Sequence, residues 1–189
     1  MFVNMRKDPH IWFVLIALCF LIFVATGCKK ARLRAQLKEM IGATVVLPKK
    51  INCIYNGELF PLPDSIRNMP KLIIYVDSVN CTTCVLSKLF QFDHLSELSK
   101  ETGAFLPFVL ISPKHNETAS IEHYLKKDRL VIPVNIDVET CFRLENPIIP
   151  SDDRFHFLFT DKNGKLLWVG NPQSSDRVYS SFSKLIQNI

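Results

Sequence analysis

The motif Cys81-Thr-Thr-Cys84 contains the residues in this sequence best suited to chemistry. An apolar, β-branched run from Leu72 to Val76 precedes the motif, and a run with helical spacing of apolar residues, from Val85 to Leu98, follows it. Two thiols at this spacing can form a disulfide, and the free amides at a helix start favour a thiolate on the first cysteine. The pattern therefore predicts thiol–disulfide exchange chemistry where a strand meets a helix.

The charged residues near the motif predict little further activation of Cys81. No Lys, Arg or His is adjacent to Cys81 in the sequence. Asp77, four residues earlier, would oppose ionisation of the thiol if its carboxylate pointed inward. We therefore expect the helix terminus to be the main source of thiolate stabilisation.

The N-terminus predicts where this chemistry takes place. Arg6 and Lys7 precede an unbroken apolar run of fifteen residues, Ile11 to Ala25. As a helix this run would span roughly 22 Å, which is short of a ~30 Å hydrocarbon core, so it favours a signal-peptide h-region. Small residues then precede Cys28, a pattern that resembles the lipobox of bacterial lipoproteins, in which the cysteine is lipidated. The alternative is an uncleaved anchor helix that runs into Cys28.

These features divide the chain into three parts: a signal peptide or anchor helix over 1–27, a lipidated tether over 28–42 and one domain over 43–189. The net charge of +5 is partly concentrated in a basic cluster next to the lipid, namely Lys29, Lys30, Arg32 and Arg34. Such a cluster indicates contact with lipid headgroups. No basic surface interleaved with aromatic residues argues for nucleic-acid binding. We expect a protein held at a bacterial cell membrane, inner or outer, and facing the periplasm.

Six cysteines are present, of which four remain for the domain, too few for a disulfide-dense scaffold, so a conventional apolar core is expected. Cys19 lies in the apolar run and Cys28 is the lipidation candidate. Cys53 and Cys141 are isolated in the sequence. They are interpreted as small buried apolar residues in preference to a second disulfide.

From about residue 43 onward, stretches with strand patterns alternate with stretches with helix patterns, which predicts an α/β fold with a central mixed sheet flanked by helices. Asn163-Gly164 predicts a tight hairpin turn between the last two strands. The predicted strands cover 44–47, 51–55, 72–76, 105–111, 130–136, 155–160 and 166–169. The predicted helices cover 82–100, the segment after an N-cap at Asn116, 139–145 and the segment after an N-cap at Ser175.

Two segments resemble the thioredoxin-like superfamily, in particular its membrane-tethered TlpA-like and AhpC/TSA-like bacterial members. They are Tyr75-Val-Asp-Ser-Val-Asn-Cys-Thr-Thr-Cys84 and Phe157-Leu-Phe-Thr-Asp-Lys-Asn-Gly-Lys-Leu166. The resemblance implies a thioredoxin-like fold over roughly 43–189, with Cys81 as the attacking nucleophile and Cys84 as the resolving thiol. It also implies a reaction without cofactor or metal, with extracytoplasmic protein thiols or disulfides and a membrane redox partner.

The sequence departs from the family pattern at three places. Thr82-Thr83 stands where many members have Pro or Gly, and Asn80 stands where an aromatic residue is common. Arg154-Phe155 occupies roughly the place of the cis-proline that faces the cysteines in the family. Arg154 is therefore a candidate for approaching Cys81 and stabilising its thiolate.

The cysteine pair also has non-catalytic interpretations. The main rival is a non-catalytic thioredoxin-like binding lipoprotein in which Cys81 and Cys84 form a structural disulfide. Copper handling with His115 or His156 is a weaker alternative. Zinc is disfavoured, because no second Cys-x-x-Cys and no suitably spaced His is present.

Overall fold

The computed structural model describes residues 31–77, 89–114, 117–127 and 132–188. Residues 31–40, within the predicted tether, are helical, and Gly42 follows with a positive φ of 90°. Met40–Ile189 form one compact unit, and the residues before it belong to a separate one. Within the described ranges, no helix is both long enough and apolar enough to cross a bilayer.

The compact unit is built on one seven-stranded mixed sheet with the order β2-β1-β5-β4-β3-β6-β7. Strands β3, β4 and β5 are parallel to one another, whereas β1 pairs antiparallel with β5, and β6 pairs antiparallel with β3. The strands are β1 Ile51–Tyr55, β2 Glu58–Pro61, β3 Lys71–Val76, β4 Leu106–Ile111, β5 Val134–Asp137, β6 Phe157–Thr160 and β7 Leu166–Val169. This arrangement confirms the predicted central mixed sheet.

Among the described residues after residue 40, five α-helices accompany the sheet. They are α1 Asp64–Arg67, α2 Asp93–Thr102, α3 Thr118–Lys127, α4 Phe142–Glu145 and α5 Asp176–Ile186. Helix α5 begins as predicted, because the Ser175 side chain accepts a hydrogen bond from the Val178 amide at 3.4 Å. Helix α2 ends at Gly103, whose φ of 62° is the left-handed conformation that glycine adopts without strain.

The side chains of strand β3 alternate between the two faces of the sheet, so β3 contributes to the core on both faces. Leu72, Ile74 and Val76 belong to a buried apolar cluster that includes residues of α2, α3 and α5. On the opposite face Tyr75 packs against Phe142 of α4, with ring centroids 4.7 Å apart. All six residues of β3 are buried, as expected for a parallel strand covered on both faces.

The predicted Asn-Gly hairpin turn between β6 and β7 is confirmed. Asp161 Oδ1 accepts hydrogen bonds from the amides of Asn163 and Lys165 at 2.8 and 2.9 Å. Gly164 has a φ of 81°, the positive value that such a turn requires. A second hairpin joins β1 to β2 through Asn56 and Gly57, both with positive φ.

The prediction of a strand over 44–47 is wrong beyond a single bridge between Thr44 and Lys165. The Val45 amide donates to the Gly164 carbonyl at 2.8 Å, but the next amide, that of Val46, donates to the side chain of Asn146 at 2.7 Å. A side chain cannot continue a backbone ladder, and Pro48 lacks an amide, so no strand develops.

Other predicted bounds also shift for local reasons. Residues 89–92 form a 3-10 turn before α2, so the predicted helix over 82–100 is not one continuous α-helix. This turn places Leu89 and Phe92, three residues apart, against the same core. Strand β5 begins only after Pro133, which has no amide to donate.

The sequence analysis missed one strand and misplaced the start of another. Strand β2 is short, exposed and ends in Pro61 at the edge of the sheet, so its pattern is weak. Phe155 was predicted in β6 but lies in a 3-10 turn, because the Asp152 side chain accepts a hydrogen bond from the Arg154 amide and holds that turn.

Candidate functional site

The predicted catalytic and lipidation residues, Cys81, Cys84 and Cys28, lie outside the described residues, so their roles stay predictions. The structure does describe the chain on both sides of the cysteine pair. Strand β3 ends at Val76, and Asp77 follows at the carboxyl edge of the parallel strands. On the other side of the motif, the next described residue is Leu89, in the 3-10 turn before α2. The carboxyl ends of parallel strands are where ligands bind in open α/β sheets.

Asp77 forms an ion pair with Arg143 at this edge. The Asp77 side chain is 5% exposed and that of Arg143 is 35% exposed, so the pair lies at the boundary between core and solvent. Asp77 was expected to oppose thiolate formation if it pointed inward. It is buried, but the guanidinium beside it offsets part of its negative charge. Sequence analysis missed Arg143, because nothing in the sequence links it to a residue 66 positions away.

A second carboxylate, Asp137, joins three elements at the same edge. Its Oδ2 accepts a hydrogen bond from Ser112 Oγ at 2.8 Å and another from the Phe142 amide at 2.9 Å. Its Oδ1 lies 3.7 Å from Cys141 Sγ, which donates to it. Asp137 is fully buried, so these bonds satisfy a charge that would otherwise be costly to bury. The carboxylate thus fixes α4, and with it Arg143, relative to β4 and β5.

A cavity of about 300 Å³ lies between these groups. Tyr75, Asp77, Ser112 and Arg143 line it together with Thr140 and Leu144. Burial raises the pKa of Tyr75 to about 12, so its phenol stays neutral near physiological pH. The cavity therefore presents one ion pair and three neutral hydroxyl-bearing side chains, those of Tyr75, Ser112 and Thr140, beside the strand that leads to the cysteine motif.

His156 occupies the position immediately before β6 and is buried. Its Nε2 lies 3.0 Å from the Pro150 carbonyl, which can only accept, so Nε2 carries the proton. Its Nδ1 is buried and has no hydrogen-bond partner among the described residues. The ring packs edge-on against Tyr75, with centroids 5.0 Å apart. His156 is therefore buried at this edge and packs against Tyr75.

Arg154, the candidate for stabilising the Cys81 thiolate, lies in the 3-10 turn Asp153–Phe155. Its side chain is 63% exposed and its Nε lies 2.9 and 3.1 Å from the two carboxylate oxygens of Asp152. This contact lowers the pKa of Asp152. The residue directly before β6 is His156, two positions beyond Arg154. An approach of Arg154 to Cys81 involves a residue outside the described ranges and stays a prediction.

Cys53 and Cys141 are both free thiols. Cys53 is buried in β1, as predicted, and burial raises its pKa to about 11. Cys141 is partly exposed, but its pKa is also raised to about 11, by desolvation and by the negative charges of Asp137 and Glu145. Both thiols are therefore poor nucleophiles near neutral pH. No group of three or more metal-ligating side chains occurs among the residues that the structure describes.

Comparison with known proteins supports the fold. No protein-family model and no curated protein matches the sequence. Among solved structures, the thioredoxin domain of a thiol-disulfide oxidoreductase from Bacteroides vulgatus is similar with a TM-score of 0.51 and 14% identity. The match covers 77% of this chain and 97% of that domain.

Two further structures are similar over much of their length. An uncharacterized thioredoxin-like protein from Porphyromonas gingivalis has a TM-score of 0.46 at 14% identity, covering 77% of this chain and 92% of that one. The exposed lipoprotein thioredoxin of Streptococcus pneumoniae has a TM-score of 0.45 at 18% identity, covering 72% and 98%. The mixed seven-stranded sheet and the structural similarity to the Bacteroides vulgatus domain, of which 97% is covered, show that this chain has the thioredoxin-like fold.

Proposed function

We propose that this protein is a membrane-tethered, extracytoplasmic thiol–disulfide oxidoreductase that acts on protein thiols and disulfides through Cys81 and Cys84. The observation that carries the proposal is that the chain leaves the sheet at the carboxyl edge of β3 just before the motif begins in the sequence. Cys81 follows Asp77 by four residues in the sequence, and Asp77 lies where the buried central strand reaches the carboxyl edge. Four residues span at most about 14 Å, so the proposal puts the reacting thiols close to this edge.

The proposed reaction is an exchange of two electrons between sulfur atoms. The Cys81 thiolate attacks one sulfur of a substrate disulfide, and the other substrate sulfur leaves as a thiolate. The Cys84 thiolate then attacks Cys81 Sγ and releases the second substrate sulfur. The substrate is now reduced, and Cys81–Cys84 is a disulfide. A membrane redox partner restores the dithiol, and the same steps in reverse oxidise a substrate dithiol. No cofactor enters the sequence of steps.

The described residues support this chemistry through their charges. Asp77 carries the carboxylate nearest to Cys81 in the sequence, and Arg143 is paired with it. The pair lessens the repulsion that a developing thiolate would meet from this side of the site. Cys53 and Cys141, with pKa values raised to about 11, do not compete as nucleophiles near neutral pH.

The test is capture of mixed disulfides with a Cys84→Ser variant. Without the resolving thiol, the Cys81 mixed disulfide persists, so the variant should migrate as covalent adducts that dithiothreitol dissolves. Cys81→Ser should give no adducts, and the matched control Cys141→Ser, which removes a partly exposed thiol, should behave as the unaltered protein. Absence of adducts, together with a reduction potential of the Cys81–Cys84 couple below about −300 mV, would favour the non-catalytic binding lipoprotein instead.

The membrane location is the second part of the proposal. Lipid on Cys28 would hold the domain at a bacterial membrane, with the residues after the cysteine facing the periplasm. Radiolabelled palmitate should be incorporated into the unaltered protein and not into a Cys28→Ser variant, whereas Cys19→Ser should still be labelled. Equal labelling of the Cys28 and Cys19 variants would contradict lipidation at Cys28 and favour an anchor helix.

A further inference from the structure

A second cavity, of about 400 Å³, lies at the opposite end of β3 from Asp77. Lys71, the first residue of β3, lines this cavity. Six residues of strand separate Lys71 from Asp77, which is a distance of roughly 20 Å. The cavity is therefore independent of the edge where the redox motif is proposed.

The walls of this cavity carry an excess of positive charge, and we name it the basic cavity after Arg67, Lys71 and Lys162. Two carboxylates lie nearby. Asp64 is 3.8 Å from Arg67 Nε with a side chain 98% exposed, so solvent screens this pair. Asp161 accepts hydrogen bonds from the amides of its own turn. Within the described part of the chain, neither Lys71 nor Lys162 forms an ion pair.

Several side-chain N–H groups in the basic cavity donate to no other described residue. Lys71 Nζ donates to the Arg67 carbonyl at 2.7 Å and to the Met69 carbonyl at 2.5 Å. An ammonium has three N–H groups, so one remains. The side-chain amides of Asn68 and Asn163 also line the cavity and have no partner among the described residues.

The surroundings of Lys71 favour binding of an anion. Lys71 is 2% exposed, and burial together with the Arg67 charge lowers its pKa to about 8, which Asp161 opposes only in part. A buried ammonium without a paired anion is costly. An anion in the cavity would favour the charged form of Lys71, so binding of the anion and protonation of Lys71 would reinforce each other.

We propose that the basic cavity binds the phosphate group of a small phosphate monoester. A phosphate carries about two negative charges and three acceptor oxygens, which suit lysine ammonium groups and amide N–H groups together. The cavity is larger than a phosphate group, and Val45, Leu47 and Ile73 supply an apolar wall for a small organic body. This site does not depend on the proposed redox function.

The first test is calorimetric titration of the full chain in detergent with glycerol 3-phosphate at fixed ionic strength. We expect saturable binding at one site, weakened about tenfold or more in Lys162→Met. Lys162 is exposed, so this variant should still fold. Lys184→Met, an equal loss of charge at an exposed position of α5, should bind as the unaltered protein. No saturable binding, or equal weakening in both variants, would overturn the proposal.

The second test uses pH, with sulfate as a dianion whose charge does not change. Binding should weaken about tenfold between pH 7 and pH 9.5 as Lys71 loses its proton. The other charged groups around Lys71 are Arg67, Lys162 and Asp161. Lys71→Met should bind weakly and without this pH dependence. If that variant does not fold, the profile of the unaltered protein is sufficient. A flat profile for the unaltered protein would overturn the role of Lys71.

Discussion

At the scale of single residues, the surroundings of each thiol decide which cysteine can react. Cys53 is enclosed by β1 and its neighbours, and Cys141 faces the carboxylates of Asp137 and Glu145. Both effects disfavour a thiolate. If Cys81 lies at a helix start as proposed, its amides act in the opposite direction. The difference is one of environment, because the side chains are identical.

We predict a corresponding order of alkylation rates. With pKa values of about 11, only about one in ten thousand Cys53 or Cys141 side chains is a thiolate near pH 7. Iodoacetamide should therefore modify Cys81 at least a hundredfold faster, as followed by peptide mass spectrometry on the reduced protein over a range of pH. Comparable rates for Cys81 and Cys141 would show that Cys81 is not activated.

Lys71 gives a second prediction, on stability against pH. Its folded pKa of about 8 lies below the ordinary value of 10.5, so between these pH values the unfolded chain binds more protons than the folded chain. Stability therefore rises with pH in this window. Urea unfolding should show the unaltered protein gaining on the order of 1–2 kcal/mol relative to Lys71→Met between pH 8 and 10.5. Parallel profiles for the two proteins would contradict the depressed pKa.

At the scale of elements, the hairpin β6–β7 is held by close backbone contacts as well as by pairing. The Val45 amide donates to the Gly164 carbonyl, and the Gly42 amide donates to the Leu166 carbonyl. The segment before β1 therefore packs along the hairpin without becoming a strand. This explains why the hairpin turn has little tolerance for a larger residue.

We predict that Gly164→Ala destabilises the protein by about 2–4 kcal/mol. The residue has a φ of 81°, and a Cβ would lie 2.6 Å from the Val45 carbonyl oxygen, so backbone must move. Gly103→Ala is the matched control, because its φ is also positive, at 62°, but a Cβ there meets nothing within 4 Å. It should cost only about 1 kcal/mol. Equal losses in chemical denaturation would show that the close contact is unimportant.

At the scale of the whole molecule, one aromatic cluster links the sheet to the last helix. Phe182 of α5 contacts Phe105, Phe159 and Trp168, with ring centroids 5.3, 5.4 and 5.1 Å away. Phe182 is fully buried. The contacts with Phe105 and Phe159 are edge-on and the contact with Trp168 is tilted, and such aromatic pairs add to the free energy gained by burying the rings. The terminal helix is thus part of the core.

Phe182→Ala should therefore lower the free energy of unfolding by about 3–5 kcal/mol, because it removes a buried ring and leaves a cavity. Leu144→Ala, at a side chain 81% exposed, should change it by less than about 0.5 kcal/mol. Chemical denaturation of both variants measures the difference. A small effect of Phe182→Ala would mean that α5 is not docked on the sheet as described.

Local sequence patterns are enough to predict the strands with continuous apolar runs, the Asn163-Gly164 turn and the Ser175 cap, because each depends on residues close in the chain. The mixed sheet follows from the order in which strand and helix patterns alternate along the chain. The sequence did not determine where weak edge strands begin, since Pro61 and the exposed residues of β2 carry little pattern. The Cys81–Cys84 interpretation remains a prediction from sequence.

Which charged residues from distant parts of the sequence lie together is known only from the folded structure. Arg143 lies beside Asp77, and Lys71 lies with Arg67 and Lys162, because the fold brings together segments far apart in sequence. The same is true of the depressed pKa of Lys71, which follows from burial at the start of β3. Local sequence patterns report propensity and periodicity, whereas desolvation and Coulomb interactions depend on distances that exist only after the chain has folded.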